Sequence, residues 1–348
     1  MTVSDRRSFL TTAIATLGVA TTAGHPDFLA ARPQTEDTSK KFRIDAHHHF
    51  APPTWVEAMK GNKLLQVANT TWTVEKSLED MDRGGASAAL ISITNPGLYL
   101  GDQQQTIRLA RECNDFGAKV VQDHPTRFGL FAAMPLPDVG ATLKEIAYAY
   151  DQIHADGIGF MTSFGDTWLG NAAYKPVFEE LNRRNAVVFV HPTAADCCRN
   201  LNYGVAPGSM EYGTDTTRAI TDVCFSGYAA HFANIRWIWS HGGGSMPFLA
   251  GRISGGSASH KEQMPNGMMA ELKKMYYDLA GAAYPGVVAS LRQLVTPDKI
   301  LFGTDFPPGG HILEQAQAIR ELKMFTDAEL KLVERDNATK LIPRLKNT

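Results

Sequence analysis

The sequence predicts an α/β fold, a closed (β/α)8 barrel with loop insertions on one face. Three observations carry that prediction. From residue 42 onward, short apolar runs alternate with longer amphipathic ones through eight strand–helix units. Runs such as Val187-Val188-Phe189-Val190 are apolar throughout, as a sheet covered on both faces requires. Several of them end in histidine or aspartate, and a barrel collects its strand ends around one axis. A doubly wound open sheet is the structural alternative, but it would carry a Gly-rich turn after the first strand, and none follows here.

In chain order, the expected strands are Phe42–Ala46, Ala86–Thr94, Phe128–Met134, Gly157–Ser163, Ala186–His191, Ile235–His241, Tyr276–Ala280 and Lys299–Asp305. The helical patterns between them are Val74–Arg83, Gln103–Gln122, Val139–His154, Tyr174–Arg184, Thr214–His231, Ser245–Ile253, Pro285–Val295 and Ile312–Leu322, with Asp327–Leu341 closing the chain. Three insertions, Pro52–Thr73, Ala194–Gly213 and Gly255–Gly267, fall on the face where barrel active sites form.

Apolar content of 44% and charged content of 20% describe an ordinary soluble domain with ample core. A net charge of -2 gives no electrostatic case for nucleic acid or an anionic membrane, and no apolar stretch beyond residue 40 is long enough to span a bilayer. Residues 1–40 read differently. Arg6-Arg7-Ser8-Phe9-Leu10 precedes a mild apolar run, Thr11 to Ala23, and then a Pro-, Thr- and charge-rich linker. This reads as a twin-arginine export signal, which implies a periplasmic destination and leaves residues 41–348 as the barrel domain. Cys113, Cys197, Cys198 and Cys224 fit neither a metal spacing nor a disulfide framework, and vicinal Cys197-Cys198 cannot form an ordinary unstrained bridge.

The chemistry gathers at four strand ends. The first reads Asp45-Ala46-His47-His48-His49, and alternation on a strand puts His47 and His49 on one face and His48 on the other. By the same alternation Asp45 faces inward one layer deeper, as a buried support for the site. The fifth strand ends in Val190-His191-Pro192, the sixth in Ser240-His241-Gly242-Gly243-Gly244, and the eighth in Gly303-Thr304-Asp305-Phe306-Pro307. Imidazoles with a carboxylate suit one divalent ion, Zn2+ first and Mn2+ as the alternative, with a position left open for water or substrate.

These motifs resemble the amidohydrolase superfamily, within it the branch of aminocarboxymuconate-semialdehyde decarboxylase. The likeness runs over about residues 42–342 and is closest in texture to methylsalicylate decarboxylases, through Phe164-Gly165-Asp166 and Glu180-Leu181-Asn182-Arg183-Arg184. The resemblance implies metal ligation by His47, His49, His191 and Asp305. It implies that His241 is an unligated histidine that handles protons, with Asp305 able to share that work. Two-metal relatives place a lysine or glutamate at the end of the fourth strand, but this chain reads Gly157-Ile158-Gly159-Phe160-Met161-Thr162-Ser163, so one metal is expected.

Two reactions fit such a site. One is non-oxidative decarboxylation of a small aromatic, salicylate-type, or unsaturated carboxylic acid. The other is hydrolysis of a lactone, ester or amide by metal hydroxide. Family texture favours the first, and a metal-binding protein without turnover is a third reading, opposed by the presence of His241. Some members of the branch bind a substrate carboxylate with an arginine before the first barrel helix, but Gln66 to Glu75 contains none. Arg218 and Arg252 are the candidate cations instead, with a helix-start ion pair as the alternative role of Arg218 and a helix-end charge as that of Arg252. Trp72, Asn95, Thr162, Phe164 and Phe306 are the neutral pocket candidates, and His311 could overlook the pocket from beyond Asp305. Relatives are often dimers or larger, so a homodimer or homotetramer is expected.

Overall fold

Eight parallel strands follow one another around a single sheet in chain order. They are β1 (Arg43–His49), β2 (Ala86–Ser92), β3 (Phe128–Ala133), β4 (Gly157–Met161), β5 (Val187–His191), β6 (Arg236–Trp239), β7 (Tyr276–Asp278) and β8 (Ile300–Leu301). The sheet curls until its edges meet: Ala46 N–H donates to Phe302 O at 2.9 Å, Asp305 N–H to His47 O at 2.8 Å, and His49 N–H to Phe306 O at 2.8 Å. This computed structural model describes residues 41–198 and 204–348. The twin-arginine expectation for residues 1–40 lies outside the described residues. No helix among the described residues is long and apolar enough to cross a membrane.

The crossovers are α1 (Val74–Arg83), α2 (Gln103–Asp123), α3 (Val139–Asp151), α4 (Lys175–Arg183), α5 (Pro207–Phe225), α6 (Met246–Ser254), α7 (Pro285–Leu294) and α8 (Ile312–Glu321). Their starts are set locally: Thr73, Asp102 and Asp138 cap α1, α2 and α3 through their side chains, and Pro stands in the first turn of α4 to α7. Two apolar layers result. Ile44, Ala46, Leu90, Phe131, Phe189, Ile238 and Leu301 fill the barrel together with Leu341, Ile342 and Leu345, so the C-terminal segment stops its amino-terminal mouth. The second, larger layer lies between strands and helices. Packing therefore blocks one end, and function is left to the other.

Three differences from the expected elements matter to the site. α5 starts at Pro207, ahead of the expected Thr214, which turns the end of an insertion into two rigid turns above the strand ends. The eighth strand is regular only over Ile300–Leu301: the Phe302 N–H turns to Val333 O, and the continuation is held by β1 instead. β1 carries a register slip, with Asp45 opposite Ala89 but His48 opposite Ile91, three steps against two. The slip corrects the placing of Asp45 beside His47 and His49. The Asp45 carboxylate instead accepts the Thr304 hydroxyl at 2.6 Å and the N–H groups of His47 and Thr304 at 3.1 Å, and pairs with His48 Nδ1 at 3.0 Å. It stitches β1 to the chain after β8 from the side away from the His47 and His49 rings.

Candidate active site

At the carboxyl ends of the strands, five side chains meet. His47, His191, His241 and Asp305 each offer one ligand atom, all within 4.8 Å of one another. His49 joins them, its Nε2 lying 3.0 Å from His47 Nε2 and 2.8 Å from Asp305 Oδ1. Asp305 Oδ1 also lies 3.4 Å from His47 Nε2 and 3.6 Å from His191 Nε2. His191 Nε2, His241 Nε2 and Asp305 Oδ1 are buried without a hydrogen-bond partner. Atoms of this kind normally find partners, so a polar cluster aimed at one point is incomplete without a cation. Imidazole nitrogens with one carboxylate oxygen fit a single divalent ion, and this is the one such group found among the described residues.

The far nitrogen of each ring fixes which atom points inward. His47 Nδ1 pairs with Asp278 Oδ2 at 2.9 Å, His49 Nδ1 with Ser92 O at 3.1 Å, and His191 Nδ1 with Pro192 O at 3.0 Å. His241 Nδ1 sits 2.7 Å from Ala280 O, which leaves its Nε2 as the inward atom. Phe189 forms the floor, edge-on to His47 at 5.0 Å and stacked on Phe131 at 5.2 Å.

Local backbone supports this arrangement. His241, Gly242, Gly243 and Gly244 have φ of +52, +66, +77 and +62, a left-handed run that turns the imidazole back over the barrel. A Cβ on Gly244 would meet Gly213 O at 2.2 Å, so the turn packs against α5 only as glycine. His241 and Asp305 are non-glycine residues held at positive φ, a conformation that concentrates where geometry serves function.

Charge follows from burial and neighbours. Burial alone would raise the Asp305 carboxyl, yet the imidazoles of His191, His47 and His49 gathered around it hold it well below the usual carboxylate range. Burial drives the His191 imidazole well below its ordinary value and lowers His49 as well, leaving both in the neutral form that binds metals. His47 goes the other way: burial lowers it, but the Asp278 charge and the Asp278 and Asp305 hydrogen bonds raise it to about 10. A cation therefore competes with a proton on His47, and metal affinity falls as pH drops.

Asp278, at the end of β7, was not among the expected site residues. Besides holding His47 it accepts the backbone N–H groups of His241 and Ala280, each at 3.0 Å, so one buried carboxylate orients two members of the cluster. Asp278→Asn should keep the fold and weaken metal binding by about 10–100-fold, measured by competition with a chromogenic chelator. Unchanged affinity would remove Asp278 from the support of the site.

The other candidates are scattered. His48 faces away, bonded to Asp45 and Ser77 and stacked on Phe306 at 4.7 Å. Trp72 donates to the same Ser77 hydroxyl at 2.8 Å and packs against Phe50 and Phe116, which makes it core. Thr162 donates to buried Asp215 at 2.5 Å and accepts the Thr193 N–H at 3.0 Å, so its hydroxyl is committed to the wall. Phe164 borders a small cavity with Met161, Leu98 and Phe189. Arg218 is exposed on α5, one turn on from buried Asp215 and close enough for its charge to act on that carboxylate. Arg252 is likewise exposed, in the last turn of α6. His311 is tied to Asp80 at 2.8 Å behind Phe306, outside the metal cluster. Asn95 does reach the site, through Tyr212, which sequence reading missed. The Tyr212 ring stands 6.5 Å from the His191 ring, and its hydroxyl is in contact with the Asn95 side-chain amide. The four cysteines are free thiols, with Cys197 Sγ 2.8 Å from Cys198 Sγ.

A parallel (β/α)8 barrel with a buried His/Asp cluster at its strand ends defines a metal-dependent barrel enzyme. The chain belongs to the amidohydrolase family, whose model it matches over residues 44–344. It is 36% identical to the protein named Decarboxylase yanB of Aspergillus niger, over 87% of this chain and 88% of that one. It is 32% identical to the 6-methylsalicylic acid decarboxylase of Penicillium expansum, over 87% and 97%. A solved structure of an amidohydrolase II superposes with a TM-score of 0.81 at 26% identity, covering 86% of this chain and 99% of that chain.

Proposed function

We propose that the protein is a metal-dependent, non-oxidative decarboxylase of a small aromatic acid of the salicylate type. One observation carries the choice over hydrolysis: the likeness to proteins named as decarboxylases, one of them a 6-methylsalicylic acid decarboxylase, extends over 87% of the chain.

In this reading His47, His49, His191 and Asp305 hold one divalent ion, Zn2+ by preference with Mn2+ as the alternative, and His241 stays free. The ion supplies a template and Lewis acid for the carboxylate and a neighbouring oxygen. Asp305 is the anion of the set. His241 carries the proton, because Ala280 fixes its Nδ1 and leaves Nε2 facing the cluster. Because Nδ1–H is spent on Ala280 O, His241 acts as the imidazolium: its Nε2–H gives its proton to the ring carbon that bears the carboxylate, and Nε2 takes another from solvent before the next turnover. The bond from that carbon to the carboxylate then breaks, its electron pair returns to the ring, and CO2 leaves. The Phe189 floor and the surrounding apolar wall favour release of a neutral molecule.

Incubating metal-loaded protein with 2-hydroxybenzoates, unsaturated diacids, and aryl esters or lactones tests the assignment. CO2 should come from the 2-hydroxybenzoates, with one metal per chain by elemental analysis; ester or lactone cleavage without CO2 overturns it. The Arg6-Arg7-Ser8-Phe9-Leu10 pattern supports periplasmic delivery of the folded protein, and exchanging both arginines for lysine should then retain a reporter fusion in the cytoplasm. Exposed Phe248 and Tyr284, at the starts of neighbouring α6 and α7, support a homodimer or homotetramer, which sedimentation would resolve.

A further inference from the structure

Two thiols that the proposed chemistry does not use lie side by side in the chain that follows β5. Cys197 and Cys198 end a short 3-10 turn, Asp196–Cys198, and their sulfurs are 2.8 Å apart, inside the contact distance of two unbonded sulfur atoms. Backbone bonds hold the turn on both flanks. Cys198 N–H donates to Ala195 O at 3.0 Å, and Cys197 N–H donates to Asp166 Oδ1 at 2.8 Å. Asp166 lies between the paired strands of a small hairpin, Ser163–Phe164 and Thr167–Trp168. Thr193 and Ala194, just ahead of the turn, border a small cavity with Met161, Ser163 and Phe164, so the thiols stand next to the pocket wall. Cys197 is exposed and Cys198 is buried, so a reagent arriving from solvent meets Cys197 first. Cys113 and Cys224 are buried within α2 and α5 and take no part.

We propose that Cys197 and Cys198 are a reversible oxidation site, closed to a disulfide between chain neighbours by a small-molecule disulfide such as glutathione disulfide. The Cys197 thiolate attacks one sulfur of the oxidant, breaks its S–S bond and releases one thiol. Cys198 then gives its proton to solvent, and its sulfur attacks Cys197 Sγ, expelling the second thiol as the Cys197–Cys198 bond forms. Two electrons pass from the protein to the oxidant, and the two cysteine protons are balanced by those taken up on the released thiols. Adjacency in the chain makes the bridge strained, because the ring it closes contains the planar peptide unit between the two residues. A strained bridge is more readily reduced, so a dithiol reopens it. The neighbouring Cys198 sulfur pushes the Cys197 thiol up to about 11, with the Arg218 charge drawing it the other way, so the first attack runs faster in mildly alkaline buffer.

The test incubates the full-length, metal-loaded protein with excess glutathione disulfide in mildly alkaline buffer, alkylates the remaining thiols with iodoacetamide under denaturing conditions, and digests with trypsin. Cleavage after Arg184 and Arg199 isolates residues 185–199, which contain Cys197 and Cys198 and no other cysteine. Mass spectrometry should find that peptide unalkylated and lighter by two hydrogens, and doubly alkylated when dithiothreitol is added before the iodoacetamide. Cys198→Ser should stop at a glutathione adduct on Cys197, and Cys197→Ser should leave Cys198 unmodified. In the wild type, two alkylated cysteines after oxidation, a lasting glutathione adduct on Cys197, or a link to a second chain overturns the proposal. Glutathione on Cys198 in Cys197→Ser overturns the order of attack. The readout is a peptide mass, so it stands or falls independently of the decarboxylase reading.

Discussion

His241→Ala keeps one metal per chain and releases CO2 about 10²- to 10⁴-fold more slowly than wild type, the loss that removal of a positioned proton carrier produces. Its side chain is held by a single bond, Nδ1 to Ala280 O at 2.7 Å, and its Nε2 faces the cluster without a partner. The glycine turn that positions it is backbone and survives the substitution. A decrease confined to kcat, with the affinity for substrate preserved, would mark a group engaged chiefly in the transition state. If His241 were instead needed to hold the ion, the variant would come out of purification depleted of metal. Full activity would take His241 out of the mechanism.

Asp305→Ala has the second large effect and fails differently. Asp305 Oδ1 lies within 3.6 Å of Nε2 of His47, His49 and His191, and it is the anion of the cluster. Without it, three imidazoles face one another with no carboxylate to complete a donor set for a dication. The variant should purify without stoichiometric metal and release CO2 at the buffer background. It should also lose the stabilisation that bound metal gives, about 2.7–4.1 kcal/mol at 100 to 1,000 times the dissociation constant. Adding Zn2+ or Mn2+ should raise the melting temperature of wild type and not that of the variant. Stoichiometric metal in the variant would contradict the ligand set.

What could be read from the chain and what could not follows the range of the interactions involved. His47, His49, His191, His241 and Asp305 were legible because each ends an apolar run, and a barrel brings strand ends together whatever their sequence separation. Asp278 carries the same signal, the end of Tyr276-Tyr277-Asp278, yet a lone carboxylate after two tyrosines has no local partner to mark it. Its meaning comes from His47, 231 residues away in sequence. Asp45 was misplaced because strand alternation assumes an unbroken register, and a one-residue slip is invisible until the neighbouring strand is known. Tyr212 had no signal of its own: it reaches the site only because α5 begins earlier than its apolar pattern does, within an insertion.

The central claim is that these residues place a proton on a ring carbon and release CO2. Turnover of carboxyl-13C-labelled 2-hydroxybenzoate in D2O by metal-loaded protein tests it most directly. The account predicts 13CO2 and a phenol carrying one deuterium at the carbon that bore the carboxylate, with neither formed by His241→Ala above background. Recovery of the labelled carboxylate intact, while an ester or lactone is cleaved under the same conditions, would contradict it.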